Sequence, residues 1–247
     1  MHNLGQTRSA WRADHLLITP DTFVRAPLPG MKGCMAVVHT SPRIGGAGFT
    51  QYTAEFEAGG LLGGTHAQRF IYVLEGDVKV ETKGKKMTLG ARGYAYFPQG
   101  FAHKVAAGST SRVEVIEKPY QALTGVKPPS AIISSEDEVT AAPLGGDTSL
   151  HCKCMLPDSM AFDFAVNTMT YQPGASLSIV EMHIMEHGLL MLEGGGIYRL
   201  GDSWYAVSAG DFIWMGPWCP QWFGAIGKVP AKYLIYKDWN RHPLSGK

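Results

Sequence analysis

No run of eighteen apolar residues occurs in this 247-residue chain, so it offers no membrane-spanning helix. Charge of either sign is also scarce. Twenty-two Lys and Arg stand against 21 Asp and Glu, a net charge of +1 with 17% of residues charged. No basic run exists to hold nucleic acid or an anionic membrane, so neither partner is expected. Cysteine is limited to Cys34, Cys152, Cys154 and Cys219. The spacing Cys152-Lys153-Cys154 is too tight for a usual zinc site and has no matching pair. Reduced thiols are therefore expected. The opening residues, Met1 to Gln6, lack the basic and then apolar pattern of a signal peptide. Together these features predict a cytoplasmic protein. A long segment with a 3.6-residue apolar period is missing as well.

What is present is punctuation. Thirty glycines and 15 prolines are spread along the chain, with short apolar runs between them. That pattern predicts an all-β sandwich or barrel of many short strands. With 45% hydrophobic residues, the chain can bury one large core or two cores of about 110 residues each.

Residues 1–45 read as an N-terminal arm, because Pro27, Pro29 and Gly30 forbid a helix there. Residues 46–127 read as a first domain, 128–150 as a polar, Pro-containing linker, and 151–247 as a second domain that repeats the first. Leu190-Met191-Leu192-Glu193-Gly194 matches Tyr72-Val73-Leu74-Glu75-Gly76. The run Ala209 to Pro217 matches Ala91 to Pro98, and Tyr236-Lys237-Asp238-Trp239 matches Glu117-Lys118-Pro119-Tyr120. Order and spacing agree over about 70 residues, the mark of an internal duplication.

The chemistry lies in Glu181-Met-His183-Ile-Met-Glu-His187-Gly188. Positions 181, 183 and 187 are all odd, so on one continuous strand their side chains share a face. Two imidazoles and a carboxylate suit a divalent first-row metal. His103 lies 28 residues beyond Glu75, and Gln221 lies 28 beyond Glu193. Gln221 is thus the fourth candidate ligand. The matching positions of the first domain are Gly63, Thr65, Arg69 and His103, so the metal is expected in the second domain only. Oxygen ligands from Glu and Gln favour Mn²⁺ over a closed zinc site, although Fe²⁺, Ni²⁺ and Co²⁺ also fit. Trp214, Trp218, Trp222 and Phe223 cluster near Gln221, as barrel-end core or as a pocket wall.

A strand-borne ligand cluster, a Leu-Glu-Gly turn, Gly-Asp…Pro and a late ligand make the two-motif cupin pattern. Two copies predict two tandem cupin (double-stranded β-helix, jelly-roll) barrels, a bicupin. The set Glu181, His183, His187 and Gln221, with the ending Tyr233-Leu-Ile-Tyr236-Lys237-Asp238-Trp239-Asn240-Arg241, closely resembles the (S)-ureidoglycine aminohydrolases, formerly called glyoxylate-induced proteins. The segment Leu17 to Arg25 looks like that family too. The resemblance implies Mn²⁺-dependent hydrolysis of (S)-ureidoglycine to (S)-ureidoglycolate and ammonia in purine (allantoin) catabolism. It also implies metal ligands at Glu181, His183, His187 and Gln221, and substrate contacts at Tyr198, Tyr233 and Lys237. Glu181 touches both metal and substrate in this reading, and Glu181 and Lys237 are the catalytic candidates. Tyr233 and Lys237 share parity on one strand, which suits a common pocket. A homo-oligomer is expected. The competing expectations are an Fe²⁺ bicupin dioxygenase and a non-catalytic ligand-binding bicupin.

Overall fold

A computed structural model describes residues 4–43 and 46–241. The ends of the expected arm (1–3 and 44–45) and of the second domain (242–247) lie outside the described residues. Apart from two short 3₁₀ turns, at Pro20–Thr22 and Glu136–Glu138, the regular structure is β throughout, as the Gly and Pro punctuation predicts. No helix among the described residues is long and apolar enough to cross a membrane.

The chain forms two compact units. One contains Val24–Val139. Its main sheet runs in the order Ile132–Ser135, Gly93–Phe97, Gln68–Glu75, Ser111–Lys118, Thr50–Leu61, His103–Ala107, Asp77–Thr82, Lys85–Gly90, with Lys32–Thr40 also on Thr50–Leu61. Every pairing is antiparallel, and the sheet wraps around a core that includes Tyr52, Ile71, Val80, Phe97 and Val115.

The other unit joins the segment ending at Phe23 to Thr140–Asn240. Its large sheet runs Ala10–Trp11, His15–Ile18, Phe212–Met215, His187–Glu193, Ala231–Asp238, Phe164–Tyr171, Asp147–Cys154, Ala142–Leu144. A three-stranded sheet of Ser203–Ser208, Gly195–Leu200 and Gln221–Ala225 completes it. Leu189, Ile213 and Ile235 of the first sheet share a core with Tyr198, Leu200 and Phe223 of the second. This is the expected jelly-roll architecture, repeated.

The boundaries differ from the sequence reading. The expected arm splits, because His15–Ile18 adds a strand beside Phe212–Met215 and buries Leu17 completely. Lys32–Thr40 instead belongs to the first barrel. The expected linker splits too. Ile132–Ser135 pairs with Gly93–Phe97, and Ala142–Leu144 pairs with Asp147–Cys154. Edge strands this short carry too few side chains to show an alternation.

The two Glu-Gly turns that anchor the repeat are equivalent in backbone. Gly76 has φ 74° and Gly194 φ 62°, the left-handed region where glycine has no steric penalty. A Cβ on Gly194 would stand 2.4 Å from the Pro230 carbonyl oxygen, so the turn also needs the missing side chain.

Candidate metal centre

The four candidate ligands converge in the second barrel. His187 opens strand His187–Glu193 and is buried. Its Nδ1 lies 3.2 Å from the Tyr236 carbonyl oxygen, which can only accept, so Nδ1 carries the hydrogen. Nε2 is left as a bare lone pair facing His183 Nε2 at 3.3 Å. Burial holds the His187 imidazole well below its usual pKa, with Lys237 and His183 adding to the effect. Gln221 opens strand Gln221–Ala225, and its amide reaches His183 Nε2 at 2.8 Å. Glu181 Oε2 lies 4.0 Å from the same nitrogen.

The expected continuous strand from 181 to 187 does not form. Only Glu181 is bridged, with its N–H donating to the Gln221 carbonyl at 2.8 Å and Gln221 N–H donating back at 2.9 Å. Residues 182–186 leave the ladder, and the ladder resumes at His187. Glu186 turns inward, accepts from Trp214 Nε1 at 3.2 Å and is buried. Met182 and Ile184 still face solvent while Glu181 and His183 are partly covered, so the parity survives locally without a strand.

These residues fit a divalent cation. Two ring nitrogens, an amide and a carboxylate crowd one point, and at least one of the nitrogens has no hydrogen to offer. A bare Nε2 held by an Nδ1–H···O=C bond is the arrangement that histidine ligands adopt. A half-turn of the Gln221 amide brings its oxygen to the same place.

The substrate candidates line the same interior. Tyr198 is 1% exposed and Tyr233 2%, and both face the core. Tyr233 shares a 2.7 Å hydroxyl hydrogen bond with Tyr171. Burial first, and then the neighbouring phenols and Glu181, keep Tyr198 and Tyr233 protonated far above the usual range. Tyr171 is raised by burial as well. Lys237 is half-buried and directly opposite His187 in the strand register. In the amide orientation that satisfies Asn167, Lys237 Nζ donates to its Oδ1 at 3.3 Å. Tyr171 and Asn167 were not visible as site residues in the sequence. Both lie on Phe164–Tyr171, which only sheet pairing brings beside Ala231–Asp238. Of the aromatic cluster, Phe223 and Trp214 are core, Trp222 donates to the Leu177 carbonyl, and Trp218 is exposed.

The equivalent place in the first barrel is filled by a side chain. The Arg69 guanidinium contacts His103 Nε2 at 3.1 Å and donates to the Gly63 carbonyl at 2.8 Å and to Glu117 at 2.7 Å. Gly63, Arg69 and His103 are the counterparts of Glu181, His187 and Gln221, so a fixed organic cation sits among them. The barrels also correct the repeat alignment by one residue. Arg69 pairs with Glu117 where His187 pairs with Lys237, so Glu117, not Lys118, is the counterpart of Lys237.

A second grouping, Asp14, His15 and Cys219, brings three ligand types within 4.8 Å. Its imidazole is already engaged on both sides, by Asp14 at 2.8 Å and by the Tyr205 hydroxyl at 2.8 Å. Burial pushes the Cys219 thiol up to about 12, so it stays protonated. The chemistry is that of a hydrogen-bonded core cluster and is a poor match to a resident cation.

The EutQ-like cupin domain family matches residues 45–120, and the Cupin domain family matches residues 167–236. A probable (S)-ureidoglycine aminohydrolase of Oryza sativa subsp. japonica is 41% identical over 97% of this chain and 78% of its own length. The (S)-ureidoglycine aminohydrolase of Escherichia coli K12 is 30% identical over 91% of this chain and 88% of its own. In structure, a Pseudomonas aeruginosa protein named for induction by glyoxylate superimposes with a TM-score of 0.88 at 30% identity, covering 96% of this chain and 92% of that one. With two cupin barrels, one carrying a convergent Glu, His, His and Gln, the chain belongs to the (S)-ureidoglycine aminohydrolase family of bicupin enzymes.

Proposed function

We propose that the second barrel hydrolyses (S)-ureidoglycine to (S)-ureidoglycolate and ammonia, with Mn²⁺ held by Glu181, His183, His187 and Gln221. One observation carries the reading. Gln221, His187 and Glu181 lie 2.8–4.0 Å from His183 Nε2, inside a barrel lined by protonated tyrosines, with Lys237 opposite His187. When bound, the metal would supply Lewis-acid charge to the substrate's heteroatoms and fix its orientation.

The chain's own groups divide the remaining work. The substrate carries a carboxylate, an amine and a ureido group on one carbon. The Lys237 ammonium supplies the charge for the carboxylate, and its bond to Asn167 Oδ1 aims it. Tyr233 is oriented by Tyr171, and together with Tyr198 it presents neutral O–H donors to the ureido group. Their burial takes these hydroxyls out of bulk water. Glu181, part-exposed, takes the proton of the adding water and returns it to the departing amine, so that the C–N bond breaks and ammonia leaves.

The test is stereospecific ammonia release. Protein stripped of metal and reloaded with Mn²⁺ is given ureidoglycine made in situ from allantoate. Metal-dependent ammonia with accumulation of (S)-ureidoglycolate is expected. Spontaneous decay without acceleration, in protein that retains its metal, would overturn the proposal. Oxygen uptake would then be measured, as an Fe²⁺ dioxygenase requires.

A further inference from the structure

Two thiols share one face of a strand close to Lys237. Cys152 and Cys154 are alternate residues of Asp147–Cys154, so their side chains leave the sheet on the same side. Their sulfurs are 3.8 Å apart. Cys152 is buried and Cys154 is exposed, so one thiol is protected and the other can be reached. Cys154 pairs with Asn167, the residue that receives the Lys237 ammonium.

The electrostatics separate the two. Either sulfur can donate to the other, and the contact favours a thiolate at the exposed Cys154 with the proton held on the buried Cys152. Lys237 adds positive charge that favours ionisation at both sulfurs. Cys34 and Cys219 lie at the opposite extreme, each buried and pushed up to about 12 by desolvation. The chain therefore holds one exposed thiol whose ionisation is favoured, with a second thiol in contact, and two buried thiols whose ionisation is opposed.

We propose that Cys152 and Cys154 form a reversible dithiol–disulfide site that reacts with small disulfides of the glutathione type, Cys154 attacking and Cys152 resolving. The Cys154 thiolate attacks one sulfur of the small disulfide. A mixed disulfide forms and one small thiolate leaves. Cys152 then gives up its proton and attacks the Cys154 sulfur. The second small thiolate leaves and takes the proton. Two electrons pass from the protein dithiol to the small disulfide, which becomes two thiols. Alternate residues on a strand stand about 6.6 Å apart, at the long end of what a disulfide spans, so the bond is readily reduced again. Oxidation removes the thiolate whose charge Lys237 meets, and so couples the redox state of the pair to that lysine.

The test uses the full chain with its metal in place and needs no turnover. The protein is incubated with oxidised glutathione, remaining thiols are alkylated after denaturation, and the peptide holding residues 152–154 is weighed without reduction. Loss of two of the four thiols is expected, in a peptide lighter by two hydrogens and restored by dithiothreitol. Cys152→Ser should stop at a glutathione adduct on Cys154, and Cys154→Ser should leave Cys152 unmodified. Lys237→Met should move the pH dependence of native-state alkylation of Cys154 to higher pH, because the ammonium is one of the charges that favour its thiolate. A glutathione adduct that persists on Cys154 in the unaltered chain, or a Cys154 no faster to alkylate than Cys34, overturns the proposal.

Discussion

His187 and Lys237 face each other across neighbouring strands, and in the first barrel the same cross-strand position holds Arg69 and Glu117. One barrel therefore puts a neutral imidazole opposite a cation, and the other a cation opposite a carboxylate. In the first pair the His187 Nε2 turns to His183 Nε2 at 3.3 Å. The second closes on itself, because the Arg69 guanidinium donates to Glu117 at 2.7 Å and takes up His103 as well. One barrel thus carries the candidate centre, and the other fills the equivalent place with its own side chain.

Lys237→Met tests the first pair. The ammonium is aimed by Asn167 and does not ligate the metal in this reading. A charged hydrogen bond to a carboxylate is worth about 1.5–3 kcal/mol, so kcat/KM should fall about 10- to 150-fold. Metal content, read by elemental analysis after dialysis, should stay at the wild-type level. Loss of the metal along with activity would make Lys237 a structural support of the centre.

Glu181 and His187 should separate under mutation. His187 offers a bare nitrogen fixed by the Tyr236 carbonyl, so His187→Ala should weaken metal binding by at least about 100-fold, the upper range for losing even a supporting partner. Glu181 stands farther out, 4.0 Å from His183 Nε2 and partly exposed. Glu181→Gln should lower turnover more than it lowers metal retention, as a residue that both ligates and moves a proton must. Equal losses in a titration with Mn²⁺ would leave Glu181 a ligand alone.

Much of this was legible in the sequence. The Glu-Gly turns stand out because glycine carries no penalty at their positive φ and a Cβ there would strike the Thr110 or Pro230 carbonyl, and they set the register of the repeat. Counting from them makes Gln221 and His103 equivalent, and the structure sets Gln221 beside His183 and His103 beside Arg69. Odd parity accounts for only part of the grouping of Glu181, His183 and His187. Parity works on a strand, yet residues 182–186 are not one, and the bridge between Glu181 and Gln221 does the aligning. The match of Lys237 to Lys118 failed by one residue, since identity of the side chain outweighed the pairing, and a one-residue slip exchanges the faces of a strand. Tyr171 and Asn167 were out of reach because their places depend on which distant strand lies beside Ala231–Asp238. The two short strands Ala10–Trp11 and His15–Ile18 were hidden for the same reason.

Arg69→Leu tests the closed pair. Arg69 is 3% exposed, and its removal takes the charged donor from Glu117, which keeps the Tyr52 hydroxyl at 3.2 Å, and the guanidinium donor from the Gly63 carbonyl. Breaking a buried ion pair from one side costs about 3–5 kcal/mol, and the 20% exposure of Glu117 places this one near 3. The unfolding transition of the first barrel should move down accordingly in a thermal or denaturant scan. Ammonia release per folded molecule should persist, because the substituted site lies in the barrel without the candidate centre. Loss of turnover in the folded variant would mean that the guanidinium acts on the reaction.

The pH dependence of stability should carry the mark of Glu114 and His39. Glu114 is fully buried and accepts hydrogen bonds from Gln51 at 2.9 Å and Thr53 at 2.7 Å. Burial raises its carboxyl from 4.5 to about 7, against the pull of those bonds and of Arg112. His39 lies 3.9 Å away and is buried too, which lowers its imidazole from 6.5 to about 3. Both groups therefore favour their neutral forms in the folded barrel. A carboxyl raised on folding contributes stability that is whole below pH 4.5 and is lost as the pH climbs to about 7. An imidazole lowered on folding does the reverse, losing its contribution as the pH falls from 6.5 toward 3. Between 4.5 and 6.5 the two slopes oppose each other, and above that Glu114 acts alone. Glu114→Gln keeps the shape and one acceptor but cannot ionise. It should match the wild type near pH 4.5 and exceed it at pH 8 by up to about 3 kcal/mol, from 1.36 kcal/mol per pKa unit. Urea denaturation of the two proteins at pH 5 and pH 8 measures this directly, and a gap that fails to widen with pH would mean Glu114 is ionised in the folded barrel without cost.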